Sequence, residues 1–243
     1  MKEVGSHELP FAIPERTDLS RTIAAALVWL AAFGAAGAFA QEAIPVPTPR
    51  PTPNISAPAN VTAAIPSSCQ KELAKSGAIF TSVLPKAVET NGCLIADPIE
   101  LNTLPGGVAL VPDALLDCPT ALRFARFAAG TIQPLATKTL SSRITVVRQD
   151  SAFVCRPRNG TTKLSEHAFG RAIDIGAFTT EAGLVIPVMA MPKVLEIEAN
   201  FLTAVRAAAC GPFATVLGPG SNSDHAMHFH FDLAPRKGSA YCR

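Results

Sequence analysis

The chain is 243 residues long, 48% of its residues are hydrophobic, and 16% are charged. A chain of this size and composition fits one main domain with appended segments better than two full domains. The formal net charge is only +2, the lysines and arginines are scattered, and aromatic residues are few. We therefore predict no nucleic-acid partner.

An uncharged apolar run occupies residues 22–40 and ends in the small-residue pattern Ala-Phe-Ala. Such a run is typical of a signal peptide, with cleavage here after Ala40. The run also approaches the roughly 20 residues that span a bilayer, so residues 22–40 are alternatively a retained membrane tether. Either interpretation makes residues 1–40 a signal peptide or N-terminal anchor. It also predicts that the rest of the chain is exported to the periplasm or cell envelope.

Residues 41–66 form a proline-rich segment that contains the sequence EAIPVPTPRPTPNISAPANVTAAIP. Proline at this density prevents helices and sheet ladders and favours an extended polyproline II conformation. We predict a linker that holds the folded part of the chain away from its N-terminus. A ligand for a proline-binding domain is the alternative.

Six cysteines follow the linker at wide spacings, and none of them forms a C-x-x-C pair. An even number of cysteines in an exported chain predicts three disulfides. Their spacing leaves the pairing open among about fifteen possibilities, and buried free thiols are the alternative. The cysteines are Cys69, Cys93, Cys118, Cys155, Cys210 and Cys242.

The remainder, residues 67–243, is predicted to be one α+β domain with a mainly antiparallel sheet and flanking helices, stabilised by disulfides. Apolar residues recur at helical spacing in some stretches, whereas short runs of β-branched residues in others indicate strands. The predicted helices cover residues 68–77, 119–130 and 192–211, each ending in a glycine, and the predicted strands cover 143–149 and 213–218.

The stretch DHAMHFHFD, residues 224–232, contains three of the five histidines. Apolar and polar residues alternate in its second half, which predicts a half-buried strand with His228 and His230 on one face. His225 lies before the alternation and need not share that face. Two imidazoles on one face can bind a metal or divide the roles of ligand and acid–base group. A surface strand with chance histidines is the alternative.

A second stretch, LSEHAFGRAIDIG at residues 164–176, places His167 and Asp174 on either side of a turn at Gly170. An alanine and a glycine flank Asp174 on the same strand face, so we expect open space around this carboxylate. With one histidine of DHAMHFHFD, these residues supply three ligands and leave a fourth position for water, as in catalytic zinc sites. Glu166 would point away from His167 in an extended chain, and we expect no role for it.

Motifs in these two stretches resemble those of a known group of zinc proteins. SEHAFGRAID matches the pattern S-x-H-x-x-G-x-A-x-D, and HFH matches the pattern H-x-H, of the lysostaphin-type, D-Ala-D-Ala metallopeptidase and hedgehog-fold group. More closely, CRPRNGTTKLSEHAFGRAIDI and VLGPGSNSDHAMHFHFDLAPR, with the final YCR, resemble the bacterial extensin-like C-terminal domain family. This resemblance covers residues 67–243.

The resemblance implies a hedgehog-like or D-Ala-D-Ala-peptidase-like fold that carries a zinc site. It implies that His167, Asp174 and His230 bind Zn²⁺ and that His228 is the catalytic group beside the reacting water. The carboxypeptidase branch of the group uses a glutamate shortly before its last ligand as the base. Residues 211–242 contain no glutamate, so His228 is the expected proton carrier.

Four further residues near the motifs are candidate site residues. Arg156 and Arg158 could grip a substrate carboxylate, with Ser165 beside them, or could be solvated loop charges. Asp232 shares the strand face of the histidine pair and could orient an imidazole from behind, or could be an ordinary surface carboxylate.

These features together predict an exported zinc metallopeptidase that cuts stem-peptide or crosslink amide bonds of peptidoglycan with metal-activated water. The sequence does not choose between an endopeptidase and a carboxypeptidase. The substrate class follows from the resemblance and the expected compartment. The alternative is a non-hydrolytic, zinc-containing domain that binds the cell wall or has a structural role in the envelope.

Overall fold

The computed structural model describes residues 66–85, 92–190 and 195–243. The predicted signal peptide or anchor (residues 1–40) and residues 41–65 of the predicted linker lie outside the described residues, so both remain predictions. Within the described ranges, no helix is both long enough and apolar enough to cross a membrane.

The α-helices begin and end at recognisable signals. Ser67 caps the first helix, since its hydroxyl accepts a hydrogen bond from the Gln70 backbone N–H at 3.1 Å. Gly77, at a φ of 84°, and Gly211, at a φ of 105°, lie just beyond the first and last helices. These two helices confirm the predictions near residues 68–77 and 192–211. The described α-helices are α1 (Ser68–Lys75), α2 (Cys118–Phe127), α3 (Gln133–Leu140) and α4 (Glu196–Ala209).

The predicted helix at residues 119–130 does not end at Gly130. A π-helical segment, Ala128–Ile132, joins α2 directly to α3. Pro134 has no N–H to donate to the carbonyl of Gly130, and the wider turn falls where that hydrogen bond would be missing. The helical unit ends instead at Ser141, which has a left-handed φ of 51°.

The described strands form one sheet in the order β1-β2-β3-β4-β5-β8-β7-β9, and β6 pairs with β5. The strands predicted near residues 143–149 and 213–218 are β4 and β7. The strands are β1 (Ile79–Ser82), β2 (Pro98–Leu104), β3 (Val108–Asp117), β4 (Ile144–Ser151), β5 (Ala172–Thr180), β6 (Val185–Pro187), β7 (Thr215–Leu217), β8 (Phe229–Asp232) and β9 (Tyr241–Cys242).

The sheet is mixed, which corrects the prediction of a mainly antiparallel sheet. β3 runs parallel to β4, and β7 runs parallel to β9. The first parallel pair follows from the chain path, because α2 and α3 form the crossover that returns the chain from the end of β3 to the start of β4. The predicted α+β class is confirmed.

Aromatic side chains fix the centre of the sheet to the helices. Phe127 of α2 packs edge-on against Phe213 and Phe231, with ring centroids 5.4 and 5.9 Å apart. Phe178 of β5 packs in the same way on Phe201 of α4, at 5.3 Å. All five rings are buried, and each edge-on pair adds to the stabilisation from apolar burial. β5 and β8 are therefore held rigidly over a packed core.

Three disulfides confirm the prediction made from the cysteine count. Cys69–Cys118 joins the first turns of α1 and α2, and Cys210–Cys242 joins the end of α4 to β9. Cys93–Cys155 joins the segment before β2 to the segment after β4. That last bond fixes the chain immediately before Arg156, one of the candidate site residues.

Candidate metal centre

β5 and β8 place two of the predicted ligands side by side. The strands are antiparallel, and Asp174 pairs directly with His230. Ile173 and Phe231, one residue away on each strand, are fully buried in the core. The period of two therefore turns Asp174 and His230 to the opposite face of the sheet, where both are nonetheless buried.

A short 3₁₀ turn, Glu166–Phe169, carries the third predicted ligand. The Ser165 hydroxyl caps this turn by accepting a hydrogen bond from the His167 backbone N–H at 3.4 Å. Gly170 ends the turn at a φ of 62°. A Cβ at Gly170 would lie 2.6 Å from the backbone nitrogen of Asp117, so only glycine fits this return toward β5.

The three side chains meet in a small triangle of donor atoms. His167 Nε2 lies 3.2 Å from His230 Nδ1 and 3.2 Å from Asp174 Oδ2. His230 Nδ1 lies 2.9 Å from Asp174 Oδ1. Tetrahedral zinc with bonds of about 2.0–2.2 Å separates its ligands by roughly 3.3 Å. The spacing of the triangle therefore suits a metal ion of that size.

Hydrogen bonds on the outer nitrogens determine which ring atoms face the triangle. His167 Nδ1 lies 2.6 Å from the carbonyl oxygen of Ala152, and His230 Nε2 lies 3.1 Å from Asp232 Oδ2. Carbonyl and carboxylate oxygens only accept, so both outer nitrogens donate. In the neutral rings, the inner nitrogens then carry lone pairs that face the carboxylate of Asp174. Three lone pairs directed at one point repel one another unless a proton or a metal ion lies between them, so the donor chemistry fits a metal ion.

The charges of the triangle show that a proton can occupy the position of a metal ion. Burial favours the neutral acid form of Asp174, but hydrogen bonds from His167 and His230 outweigh it and hold its pKa well below the ordinary value. Burial also opposes a charge on His230, yet its hydrogen bonds to Asp174 and Asp232 raise its pKa to about 9. A proton on His230 therefore satisfies the triangle in the absence of metal.

Asp232 contacts the metal centre from behind. Its Oδ2 accepts the hydrogen bond from His230 Nε2, and its Oδ1 accepts one from the Ala234 backbone N–H at 3.0 Å. Burial would raise the pKa of Asp232, but its bond to His230 lowers it below the ordinary value. The structure thus places Asp232 where the sequence predicted an orienting carboxylate.

His228 lies at the open side of the triangle. Its Nε2 is 3.7 Å from Asp174 Oδ2, and about a fifth of its side chain is exposed. β8 begins only at Phe229, so His228 precedes the strand instead of lying within it. The structure still brings His228 to the same site as His230, in reach of a molecule that contacts the metal centre.

His225 also lies beside His228 and His230, although its position before the alternating residues did not predict this. A 3₁₀ turn, Ser223–His225, carries it, and its Nδ1 donates to Asn222 Oδ1 at 2.6 Å. Its ring centroid lies 5.3 Å from that of His228 and 5.6 Å from that of His230. Burial and these two neighbouring imidazoles lower the pKa of His225 to about 4. Asn222, three residues before His225 and able to cap a turn, was the available sequence signal.

A cleft of about 440 Å³ opens over the triangle. It brings together every site residue predicted from the sequence. The lining residues include His167, Asp174, His228, His230, Asp232, Arg156, Arg158 and Ser165. They also include Glu166, Asp224, His225, Thr215, Arg236 and Tyr241.

Glu166 lines this cleft, whereas an extended chain would have turned its side chain away from His167. Residues 166–169 form a 3₁₀ turn, so the extended geometry behind that expectation does not apply. The buried carboxylate forms an ion pair with Arg158 at 2.8 Å and lies 3.4 Å from Arg171. Arg158 is thereby held against the wall of the cleft. Among the described residues, the guanidinium of Arg156 donates one long hydrogen bond, at 3.4 Å, to the carbonyl of Pro157.

Less open space lies beside Asp174 than its small neighbours Ala172 and Gly176 predicted. A Cβ on Gly176 would collide with the carboxylate of Asp150. The glycine therefore accommodates a side chain from β4 and does not leave the carboxylate of Asp174 open on that side. The open approach to the triangle is from the cleft.

The fold and the site define a class of protein: a disulfide-bonded α+β domain whose mixed sheet carries a buried His/Asp/His triangle under an open cleft. A family model described as "Extensin-like protein C-terminus" matches residues 67–243, and the chain belongs to this family. Comparison with curated proteins and with solved structures gave no match. The resemblance to the extensin-like family is thus confirmed, and kinship with zinc peptidases stays a prediction.

Proposed function

We propose that this chain is an exported zinc metallopeptidase that hydrolyses stem-peptide or crosslink amide bonds of peptidoglycan. The observation that carries the proposal is the convergence of three lone-pair donors, from His167, Asp174 and His230, beneath a cleft that holds two further imidazoles. The similarity of its two motifs to those of zinc peptidases supports the reaction class. The apolar run at residues 22–40 supports export.

Zinc in this triangle would polarise a scissile carbonyl and lower the pKa of water toward neutrality. His228 is the residue placed to move the proton, because its Nε2 lies at the open side of the triangle, 3.7 Å from Asp174 Oδ2. It would accept a proton from water during attack and donate it to the leaving amine. Buried Asp232 keeps His230 Nε2 protonated, so that Nδ1 remains the ligand atom.

The cleft supports a peptide as the substrate. Its volume of about 440 Å³ lies within the usual range for small-ligand sites and accommodates a short peptide segment. Arg156, which has no ion pair among the described residues, provides positive charge at one wall, next to Arg158, whose charge is paired with Glu166, and to Ser165. Peptidoglycan stems carry free carboxylates that such a wall would attract.

A direct test combines zinc analysis with digestion of cell wall. The full chain is purified, its zinc content is measured by mass spectrometry, and purified wall sacculi are incubated with it. We expect about one zinc per chain and the release of muropeptide fragments, whose masses identify the bond that is cut. A zinc-loaded chain that releases no fragments, when a control hydrolase does, would refute the proposed activity.

The His228→Ala variant tests the proton carrier. We expect zinc content to be retained and fragment release to fall about 100-fold or more, the usual contribution of a general acid–base group. Met227→Ala is the matched control, because Met227 is the exposed neighbour of His228 and does not line the cleft. Equal activity of the two variants would remove His228 from the mechanism.

A non-hydrolytic role is the second candidate. The triangle links β5, β8 and the 3₁₀ turn, so a metal there would stabilise the fold whether or not it supports chemistry. In a wall-binding domain, sedimentation with sacculi would be equal for the wild type and His228→Ala, without fragment release from either. In a structural protein, zinc would raise the melting temperature without any binding to sacculi.

A further inference from the structure

Arg236 is fixed at the wall of the cleft by contacts that, among the described residues, include no direct ion pair with a carboxylate. Its Nη2 and Nε donate to the hydroxyl oxygen of Thr215, at 2.7 and 3.2 Å. Thr215 is buried, and the guanidinium carbon lies 5.5 Å from the centre of the Tyr241 ring. Both contacts are with neutral groups. They hold the side chain in place without neutralising it.

Arg236 differs in this respect from the other fixed arginine of the cleft. Arg158 forms an ion pair with buried Glu166 at 2.8 Å. Within the described ranges, no aspartate or glutamate forms an ion pair with Arg236. Asp232, the nearest carboxylate along the chain, accepts hydrogen bonds from His230, the Ala234 backbone and the Thr215 hydroxyl, so it is linked to Arg236 only through Thr215.

The geometry of the guanidinium leaves one complete binding edge available. Arginine offers five N–H donors, and a carboxylate accepts two parallel hydrogen bonds along one edge of the planar group. Thr215 uses the edge formed by Nε and Nη2. The edge formed by Nη1 and Nη2 has no hydrogen-bond partner among the described residues, and Arg236 is an exposed residue that lines both this cleft and a second, smaller hollow.

The sheet determines where this edge lies relative to the metal centre. Thr215 of β7 pairs with Asp232 of β8, and Asp174 of β5 pairs with His230 of β8. With about 4.8 Å between neighbouring strands, Thr215 lies roughly 10 Å from the line of β5. An extended peptide covers this distance with about three residues at roughly 3.3 Å each.

We propose that Arg236 is a specificity-determining residue that binds a carboxylate of the substrate, within about three residues of the bond that the metal centre contacts. The proposal deepens the proposed function and takes the peptide nature of the ligand from it. Carboxylate binding itself requires no hydrolysis. It can therefore be measured separately from the reaction.

The test measures how strongly the zinc-loaded full chain prefers a free carboxylate. Acetylated peptides of two, three and four D-alanine residues are titrated calorimetrically, each as the free acid and as the C-terminal amide. We expect the wild type to bind the best acid about 10-fold more tightly than its amide, as for a charge-assisted pair. Arg236→Gln should bind the two forms equally, and Arg236→Lys should keep part of the preference.

Arg123→Gln is the matched control, since it removes the same charge from an exposed position outside the cleft. It should retain the full preference for the acid. An unchanged preference in Arg236→Gln, as expected if the carboxylate binds the zinc directly, would overturn the proposal. So would an Arg123→Gln variant that loses the preference equally, or a wild type that binds none of the acids.

Product analysis of the same samples separates this proposal from the proposed function. Acid preference that depends on Arg236, without any cleavage product, would refute hydrolysis of these peptides and leave Arg236 as a carboxylate anchor. Suppose instead that the wild type and Arg236→Gln cleave at equal rates and bind acid and amide equally. That result would refute the carboxylate-binding role of Arg236 and leave the proposed hydrolysis standing.

Discussion

At the scale of single residues, the site depends on which nitrogen of each imidazole carries a proton. The carbonyl of Ala152 and the carboxylate of Asp232 each take a hydrogen bond from an outer nitrogen. The inner nitrogens are left to face Asp174. In the neutral rings, these two acceptors therefore select the tautomers of His167 and His230 that the proposed metal site needs.

Asp232→Asn tests this selection. The amide has one accepting oxygen, whereas Asp232 accepts from both His230 and the Ala234 backbone, so one of the two bonds must be lost. We expect zinc affinity to fall about 10–100-fold, measured by competition with a chromogenic chelator. Asp224→Asn removes a cleft carboxylate that pairs with Asn159 and should leave zinc affinity unchanged. Equal losses in the two variants would contradict a specific role of Asp232.

The stability of the metal-free chain should depend on pH through His230. Its pKa is raised from 6.5 to about 9 in the folded state, so its protonation stabilises the fold fully below pH 6.5. That contribution is lost as pH rises through 9. Asp174 and Asp232 have lowered pKa values and His225 has one of about 4, so none of them titrates in this window.

We therefore expect the melting temperature of the chelator-treated chain to fall between pH 6.5 and 9.5. The His230→Gln variant should show a flatter profile over the same window. Excess zinc should also flatten the wild-type profile, because metal replaces the proton on His230. A wild-type melting temperature that rises with pH would show that the proton does not stabilise the triangle.

At the scale of elements, the turn at Gly170 determines whether His167 reaches the strands. Gly170→Ala adds a left-handed backbone penalty of about 1 kcal/mol and a Cβ only 2.6 Å from the Asp117 backbone nitrogen. We expect a loss of about 2 kcal/mol or more in unfolding free energy by urea titration, together with weaker zinc binding.

Gly183→Ala is the control for the backbone penalty alone. Gly183 has a φ of 82°, and a Cβ there would meet nothing within 4 Å. Its variant should lose about 1 kcal/mol and retain zinc affinity. Identical behaviour of the two alanine variants would mean that the contact between the turn and Asp117 has no effect on the site.

The alternation of residue types was sufficient to predict that Asp174 and His230 lie on strand faces turned away from the core. The family resemblance selected His167, Asp174 and His230 as a ligand set, which stays a prediction. Local patterns could not predict features that depend on distant chain segments. The parallel pairing of β3 with β4 depends on the crossover helices, and the space beside Gly176 is filled by Asp150 from another strand. The position of Glu166 in the cleft was not predicted because the short 3₁₀ turn was treated as extended chain.

At the scale of the whole molecule, one disulfide lies beside the metal centre. Cys155 is three residues from Ala152, whose carbonyl holds His167, and next to Arg156 in the cleft. We expect the Cys93→Ser/Cys155→Ser double variant to lose about 4 kcal/mol of stability and also to bind zinc more weakly. The Cys69–Cys118 disulfide closes a loop of similar length. The Cys69→Ser/Cys118→Ser double variant should therefore lose similar stability.

The comparison of these two double variants separates global stability from the local support of the site. Zinc affinity is measured under conditions where both remain folded, as judged by circular dichroism. We expect Cys69→Ser/Cys118→Ser to retain it. If both double variants bind zinc as tightly as the wild type, the Cys93–Cys155 bond has no part in positioning His167.

The position of β8 has a consequence for the order in which the molecule can be completed. β8 comes later in the chain than β5 and β7, yet it lies between them in the sheet. During synthesis or translocation, these two strands must wait unpaired on their facing edges until residues 229–232 emerge. The same four residues bring His230 and complete the triangle. The pairing that joins β5 to β7 and the assembly of the triangle are therefore one late event, and a nascent chain that has not reached β8 can perform neither.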